Sequence, residues 1–333
     1  MYGDFLVTSA SPAIRPRDRA KVGIVIGDPC GIGPEVVVKA WVSGQLHALC
    51  RPVLIGSAAA VQQAIDQRGL DTKLRVIDAP ERMSARAGTI DIIDSGALDP
   101  ADITPGADNL ACGRATGVWL DEADSLARAG RLQATVMGPI SSGAMQMAGV
   151  LDRVVQVRPG HSYLLLASGA LRVAHLTDHV ALREVSGLIT ADLIESALRT
   201  LDGVLRRWGM ARPRIAVAGF NPHAKGAEEE EHMTPGIERA RAAGVDVTGP
   251  VSPDTVFRHC IEGRFDIVLA MYHDQGHIPV KLLSPLQSSA LSVGGGIFFS
   301  SVGHGCAFDI AGRGVADATA TIRTVRSLAG LAG

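Results

Sequence analysis

Aromatic side chains are scarce in this 333-residue sequence, at 4%, although 47% of it is hydrophobic. Its core must therefore be built mostly from Ala, Val, Leu and Ile, a mix that suits helices stacked on a sheet. Charge of either sign is not in excess: 32 Lys and Arg face 34 Asp and Glu, for a net charge of −2. That excludes a basic surface able to track a phosphate backbone, so nucleic acid is not an expected partner. The five cysteines, Cys30, Cys50, Cys112, Cys260 and Cys306, are scattered, odd in number and without a C-x-x-C pair. Neither a disulfide framework nor a thiolate zinc site is expected. The first twenty residues carry Pro12, Pro16 and several charges and lack the apolar run of a signal peptide. No stretch reaches the roughly 18–20 apolar residues of a membrane span. These absences leave a cytoplasmic, soluble protein with no membrane partner, long enough for two packed domains.

Glycine and proline are plentiful, at 38 and 17, and they punctuate short β-branched runs that alternate with helical patterns. Strands are expected at Lys21–Ile26, Arg51–Ile55, Ala134–Met137, Leu171–Leu176, Ile215–Ala218 and Asp266–Met271. Helices are expected from Pro34, near Ala58–Gln67, over Asn109–Ala129 and over Ile189–Trp208. The alternation argues for an α/β fold with largely parallel strands, in which ligands gather beyond the strands' carboxyl ends. The acidic run Glu228–Glu231 reads as a solvated helix start.

Three histidines follow strand-like runs: His179 in Thr-Asp-His, His223 in Asn-Pro-His, and His273 in Tyr-His-Asp-Gln-Gly. A single loop histidine more often completes a hydrogen bond than a metal shell. Three in the same arrangement can converge on one ion through neutral imidazoles. His273 and His277 are four apart, but Gly276 and Pro279 argue against a helix there, and no Glu follows His273 as a zincin pair requires. Gly27-Asp28-Pro29-Cys30-Gly31-Ile32-Gly33-Pro34-Glu35 has neither dinucleotide-fingerprint nor P-loop spacing. It reads as a sharp turn with Pro34 at the first helical position, or as backbone brought close to an anion. A second glycine-rich segment contains Gly303, His304, Gly305, Gly312 and Gly314 and could approach a cofactor.

The motifs GDPCGIGPE, Pro159-Gly160-His161, NPHA, MYHDQGHIPVK and the terminal HG-x-A-x-DIAG-x-G-x-AD together resemble the 4-hydroxythreonine-4-phosphate dehydrogenase family, over nearly the whole chain from Lys21. The resemblance implies an isocitrate/isopropylmalate-dehydrogenase-like fold of two α/β/α domains with the active site in the cleft between them. On this pattern, residues 1–138 with 285–333 would form the cofactor-side domain, and residues 139–284 a metal-binding and dimerisation domain. It further implies a homodimer with a shared active site, and one divalent ion on His179, His223 and His273, one of them from the other subunit. His161 and Lys281 match substrate-contacting positions.

The sequence also departs from that pattern. Positions where the family's substrate-holding Asn and Arg would fall are Ala290 and Phe299, and Ser162 and Tyr163 follow the Gly-His pair. Neither Ala nor Phe replaces an arginine fork on a phosphate. With Phe298, Phe299 suits a ring-accommodating pocket, or simply the core. The run from Ser289 to Gly305 is most similar to the terephthalate dihydrodiol dehydrogenase branch.

The resemblance therefore implies NAD-dependent oxidative decarboxylation of 1,2-dihydroxycyclohexa-3,5-diene-1,4-dicarboxylate to protocatechuate. The alternative substrates are 4-hydroxythreonine-4-phosphate and 4-phospho-threonate, and a more distant alternative is a metal-dependent hydrolase. NADP could replace NAD, and zinc is the first candidate ion, with magnesium, manganese and cobalt also suited to three imidazoles. Candidate catalytic groups are Lys281, for proton transfer or carboxylate binding, His161, and Asp254. His161, Ser162, Lys281, Ala290 and Phe299 would line the substrate. Asp274 would orient His273, and Arg183 is a further polar candidate.

Overall fold

The structure is a computed structural model that describes residues 19–84, 86, 88–154, 159–207, 209–283, 289–294, 297–302 and 304–332. Twelve short strands pair into one sheet. They are β1 (Lys21–Val25), β2 (Arg51–Ile55), β3 (Lys73–Val76), β4 (Thr89–Ile93), β5 (Ala134–Met137) and β6 (Ser162–Ser168). β7 (Leu171–His175), β8 (Ile215–Ala218), β9 (Val247–Val251), β10 (Ile267–Ala270), β11 (Ser289–Gly294) and β12 (Ile297–Ser301) complete it. Their order is β3-β4-β2-β1-β5-β12-β11-β6-β7-β10-β8-β9. Central strands such as β5, β8 and β10 are buried along their whole length, as parallel strands covered by helices on both faces should be. Helix starts follow side-chain caps: Ser57 accepts from Ala60 N, Asn109 from Cys112 N, and Ser141 from Ala144 N. Among the described aromatics, Trp41, Trp119 and Tyr163 are fully buried.

Pairing is parallel on both flanks and antiparallel in the middle, where β12, β11, β6 and β7 meet. β12 is parallel to β5, and two reversals then separate it from β6, and a third from β7. So β7, β8, β9 and β10 run opposite to β1, β2, β4 and β5. The segments after β1 and β5 therefore leave the sheet by one edge, and the histidine-bearing ends of β7, β8 and β10 by the other. The antiparallel centre makes two functional edges out of one sheet.

Two expectations need correction. The segment His273–Leu283 is an α-helix despite Gly276 and Pro279. It buries Gly276, His277 and Val280 and packs on β7 and β6. That packing outweighs helix-propensity costs of about 1 kcal/mol for Gly and about 3 for Pro. Gly276 is needed for the approach, because a Cβ there would lie 2.3 Å from His175 Nε2. The acidic run starts a helix as expected, and Glu230 and Glu231 are exposed, but Glu228 is half-buried and Glu229 buried. Glu229–Met233 forms a π-helical turn with Glu229 only 2% exposed, and its carboxylate accepts Asn221 N at 2.7 Å and Asn221 Nδ2 at 2.8 Å. Among the described residues, no helix is long and apolar enough to cross a membrane.

Candidate metal and substrate site

β7 ends at His175, and the chain continues through Thr177, whose hydroxyl donates to Met271 O at 2.9 Å, to Asp178 and His179. This bond ties the end of β7 to the end of β10, where the helix His273–Leu283 begins. The result is a cluster of four imidazoles. His179 and His273 have ring centroids 4.9 Å apart, and His277 stacks on His273 at 3.6 Å. His175 approaches His277 at 4.7 Å.

Hydrogen bonds decide which nitrogens are free. His175 Nδ1 lies 3.0 Å from Leu164 O, which must accept, so its Nε2 accepts from His277 Nδ1 at 3.1 Å. Burial lowers the pKa of His175 to about 3 and that of His277 to about 4, which keeps both neutral. The outer pair is held differently. His179 Nδ1 is 3.0 Å from Asp178 Oδ1, and His273 Nδ1 is 2.7 Å from Asp274 Oδ1. The bond from His273 also holds the Asp274 carboxyl below the usual carboxylate range. A carboxylate on Nδ1 fixes the tautomer and leaves Nε2 as a lone-pair donor, the arrangement that suits a metal ligand. The donor chemistry of His273 thus fits a divalent ion, while His179 lies close to Asp178 without hydrogen-bond geometry.

His223 is placed apart from this pair. It lines a cavity of about 610 Å³ with Phe220, Asp254, Phe257, Tyr272 and Asp274. Its backbone is left-handed, at φ 59° and ψ 14°. Asn221, bonded to both Glu228 and Glu229 at 2.8 Å, anchors this loop, and Ser186 Oγ donates to Glu228 at 2.6 Å. The acidic run is therefore the support of a candidate ligand, a role whose only trace in the sequence is its place five residues after His223. Within one chain, His179, His223 and His273 do not form a close donor group. Among the described residues, the one group of three or more His, Cys, Asp or Glu donors lying within 4.8 Å of one another is Asp28, Cys30 and Cys112.

A cavity of about 300 Å³ is lined by Asp178, His179, Ala290, Phe299, Ser300 and Ser301, together with Val154, Leu164, Leu291 and Ser292. It joins the histidine edge to the centre of the sheet and has no Lys or Arg in that lining. Phe299 is both lining and core, at 8% exposure, and the side chain of Phe298 lies outside the described residues.

Other candidates sit elsewhere. Lys281 is exposed, one turn beyond His277, with its charge acting on Asp274 and His277. His161 is exposed just before β6, and Ser162 pairs with Gly294 across β6 and β11. Tyr163 is fully buried: its hydroxyl accepts Gly160 N at 3.2 Å and lies 3.3 Å from Ser196 Oγ, so it fixes the Gly-His turn rather than touching a ligand. Asp254 accepts from Ser252 Oγ at 2.7 Å in the His223 cavity, and Arg183 is 85% exposed.

The glycine-rich segment is at the opposite edge of the sheet. Gly303 lies outside the described residues, and His304 and Gly305 are exposed. Gly312 and Gly314 take φ of 73° and 71°. The Gly314 carbonyl accepts from Lys39 Nζ at 3.0 Å and Arg68 at 3.1 Å, Lys39 also reaches Ala316 O, and Glu35 accepts Ala316 N at 2.8 Å. The helix that begins at Gly33 thus grips this segment by its backbone.

With this geometry in place, the comparisons with known proteins can be set beside it. Residues 48–328 match the family described as pyridoxal phosphate biosynthetic protein PdxA. A Novosphingobium aromaticivorans protein is 51% identical over 98% of both chains, and its name gives 4-hydroxythreonine-4-phosphate dehydrogenase as a provisional assignment. D-threonate 4-phosphate dehydrogenase of Cupriavidus necator is 38% identical, over 93% of this chain and 97% of that one. Among solved structures, a 4-hydroxythreonine-4-phosphate dehydrogenase from Burkholderia phymatum superposes with a TM-score of 0.86 at 34% identity, covering 94% of this chain and 98% of that one. A terephthalate 1,2-cis-dihydrodiol dehydrogenase from Burkholderia xenovorans superposes at 0.76 and 34% identity, covering 92% and 98%. Near-complete coverage at these identities and a shared mixed α/β architecture lead to one conclusion: the chain belongs to the PdxA family of dehydrogenases.

Proposed function

We propose that this chain is a nicotinamide- and divalent-metal-dependent dehydrogenase acting on a phosphorylated hydroxy acid, as the names of its relatives have it: 4-hydroxythreonine-4-phosphate or D-threonate 4-phosphate. The observation that supports this reading best is the pair His179 and His273, with rings 4.9 Å apart at strand ends of a PdxA-family sheet and the Asp274 carboxylate bonded to His273 Nδ1. His223 completes the ligand set in this reading. The reaction takes a hydride from a carbinol carbon and a proton from its oxygen. When bound, the ion would supply Lewis acidity at that oxygen, and NAD, or NADP in its place, would accept the hydride. Zinc is the first candidate, with magnesium, manganese and cobalt as alternatives. Asp274 holds the His273 imidazole in the ligating tautomer. Lys281 takes the proton or binds the substrate carboxylate, and His161 and Ser162 contact the substrate. The gripped segment containing Gly303, His304, Gly305, Gly312 and Gly314 faces the cofactor.

The same reading makes the protein a homodimer with a shared site. Ile278, Leu282 and Leu283, on the helix that carries His273, are 58%, 78% and 51% exposed, an apolar face beside the candidate ligands. It also divides the chain into residues 1–138 with 285–333, and residues 139–284, meeting where β11 pairs with β6. The boundary at 284/285 lies outside the described residues.

A second reading rests on the lining of the smaller cavity. Ala290 and Phe299 beside His179 give an apolar wall that suits the ring of terephthalate cis-dihydrodiol, whose carboxylates, like a phosphate, would take their cation from outside this lining. Its oxidation would give a β-keto acid that loses carbon dioxide. The test is NADH formation after metal removal and reconstitution, with each substrate and each coenzyme. Turnover of a phosphorylated hydroxy acid supports the first reading. Turnover of the diol alone replaces it with the second, and metal-independent turnover, or none with either class, overturns both.

A further inference from the structure

The sequence spacing argues against a thiolate metal site, yet the fold assembles one set of donors far from the histidines. Cys30, in the turn after β1, and Cys112, in the first turn of the helix Leu110–Arg128, have Sγ atoms 3.4 Å apart, and both residues are fully buried. Asp28 is 1% exposed, and its Oδ1 accepts Cys30 N at 2.8 Å. One ligand atom from each of the three lies within 4.8 Å of the others. A third thiol, Cys306, is 6% exposed in the same junction; its Cβ would be 2.6 Å from a Cβ on Gly31, and its carbonyl accepts Ile32 N at 2.9 Å.

The electrostatics of this junction are one-sided. Burial, with the neighbouring Asp108 adding to it and the bond from Cys30 N opposing it, raises the pKa of Asp28 to about 6. Burial also lifts the Cys306 thiol, with Asp28, Asp108 and Cys30 adding to it. Cys30 is pulled below the usual thiol range by the hydrogen bond from Cys112, whose own thiol is pushed up. Among the described residues, the largest charged influences on these four are acids and other thiols. Buried groups that can carry negative charge are normally paired or bound to a cation. Here they are held by hydrogen bonds, such as that from Cys30 N to Asp28, and by their protons.

We propose that Asp28, Cys30 and Cys112 form a second, structural metal site for a thiophilic divalent cation of the zinc or cadmium type, independent of the histidine site. Two thiolates and one carboxylate are three of the four donors that zinc takes. Tetrahedral zinc–sulfur bonds of about 2.3 Å would set the sulfurs about 3.8 Å apart, a few tenths of an ångström beyond their present separation. Water is the candidate fourth donor, because Cys306 Sγ lies outside this donor group and donates to Pro139 O at 3.8 Å. Binding displaces the two thiol protons to solvent, leaving three anionic ligands on a dication and a net charge of −1. The ion would tie the turn after β1 to the helix Leu110–Arg128.

The test uses the full chain, reduced and stripped with chelator, titrated with cadmium. The expected result is a thiolate-to-metal charge-transfer absorption that saturates at one ion per chain with release of protons. It should survive His273→Ala and be lost in Cys30→Ser and in Cys112→Ser. A second measurement needs no variant: zinc should protect Cys30 and Cys112, but not Cys50 or Cys260, from alkylation in the partially unfolded wild type, read by mass spectrometry. Absence of the band in wild-type protein, its loss with His273→Ala, or recovery of Cys30 and Cys112 as a disulfide in place of metal-protected thiols would each overturn the proposal.

Discussion

The two edges of the sheet collect ligating side chains in opposite ways. At the ends of β7 and β10, imidazoles lie at or near the surface, with His179 at 78% side-chain exposure and His273 at 26%, each backed by a carboxylate. At the ends of β1 and β5, thiols and a carboxylate are sealed from solvent, and among the described residues the largest charged influences on them are other acids and thiols. The first arrangement is open on the lone-pair nitrogen and faces a cavity, as a site that exchanges substrate must be. The second is closed on all sides, as a structural site is. The difference teaches that exposure and supporting partners, rather than ligand identity alone, separate a reactive centre from a fastening.

That comparison can be broken or sharpened. Glu229→Ala should have the largest effect short of removing a ligand. Orphaning the half-buried Asn221 and losing its two bonds to Glu229 should cost about 1 kcal/mol of stability in a denaturant titration. Loosening the His223 loop should weaken metal binding about 10–100-fold by calorimetry. Unchanged metal affinity in a folded variant would detach His223 from the site. Asp274→Asn should leave stability alone and still weaken metal binding by about 10–100-fold, because the carboxylate that selects the His273 tautomer is gone. Tyr163→Phe removes only the hydroxyl that pins Gly160 and should cost about 1 kcal/mol, with metal affinity unaltered.

The smallest expected effect lies away from both edges. His47 is held neutral by burial, its pKa lowered, and its ring stands edge-on to Trp41 at 4.9 Å. A folded-state pKa below the unfolded value of about 6.5 contributes stability at neutral pH that is lost as pH falls through and below 6.5. His47→Gln should flatten the acid side of the stability–pH curve, measured by thermal melts between pH 7 and 5. An unchanged slope would contradict a buried neutral His47.

Much of the fold was legible in the sequence because local pattern and tertiary burial agree. The strand Ala134–Met137 and the helix Ala58–Gln67 fall where periodicity puts them, and Asn109 caps its helix. The helix His273–Leu283 was not legible, since Gly276 and Pro279 speak against a helix locally and only packing on β6 and β7 overrides them. Four glutamates in a row look solvated until Asn221 is found lying over Glu228 and Glu229. The histidines were visible because strand-end loops declare themselves, whereas Cys30 and Cys112 are 82 residues apart and meet only in three dimensions. The reversals in the middle of the sheet, which separate the two edges, leave no mark in a strand count.

The most direct test of the central claim is NADH formation with 4-hydroxythreonine-4-phosphate and D-threonate 4-phosphate, using wild-type protein and His273→Ala, each stripped of metal and then reconstituted. Turnover should appear in the wild type only with a divalent ion and should vanish in the variant while its fold, read by melting temperature and circular dichroism, persists. Equal turnover in a folded His273→Ala protein, or turnover in the stripped wild type, would contradict the claim that a histidine-held ion drives the dehydrogenation.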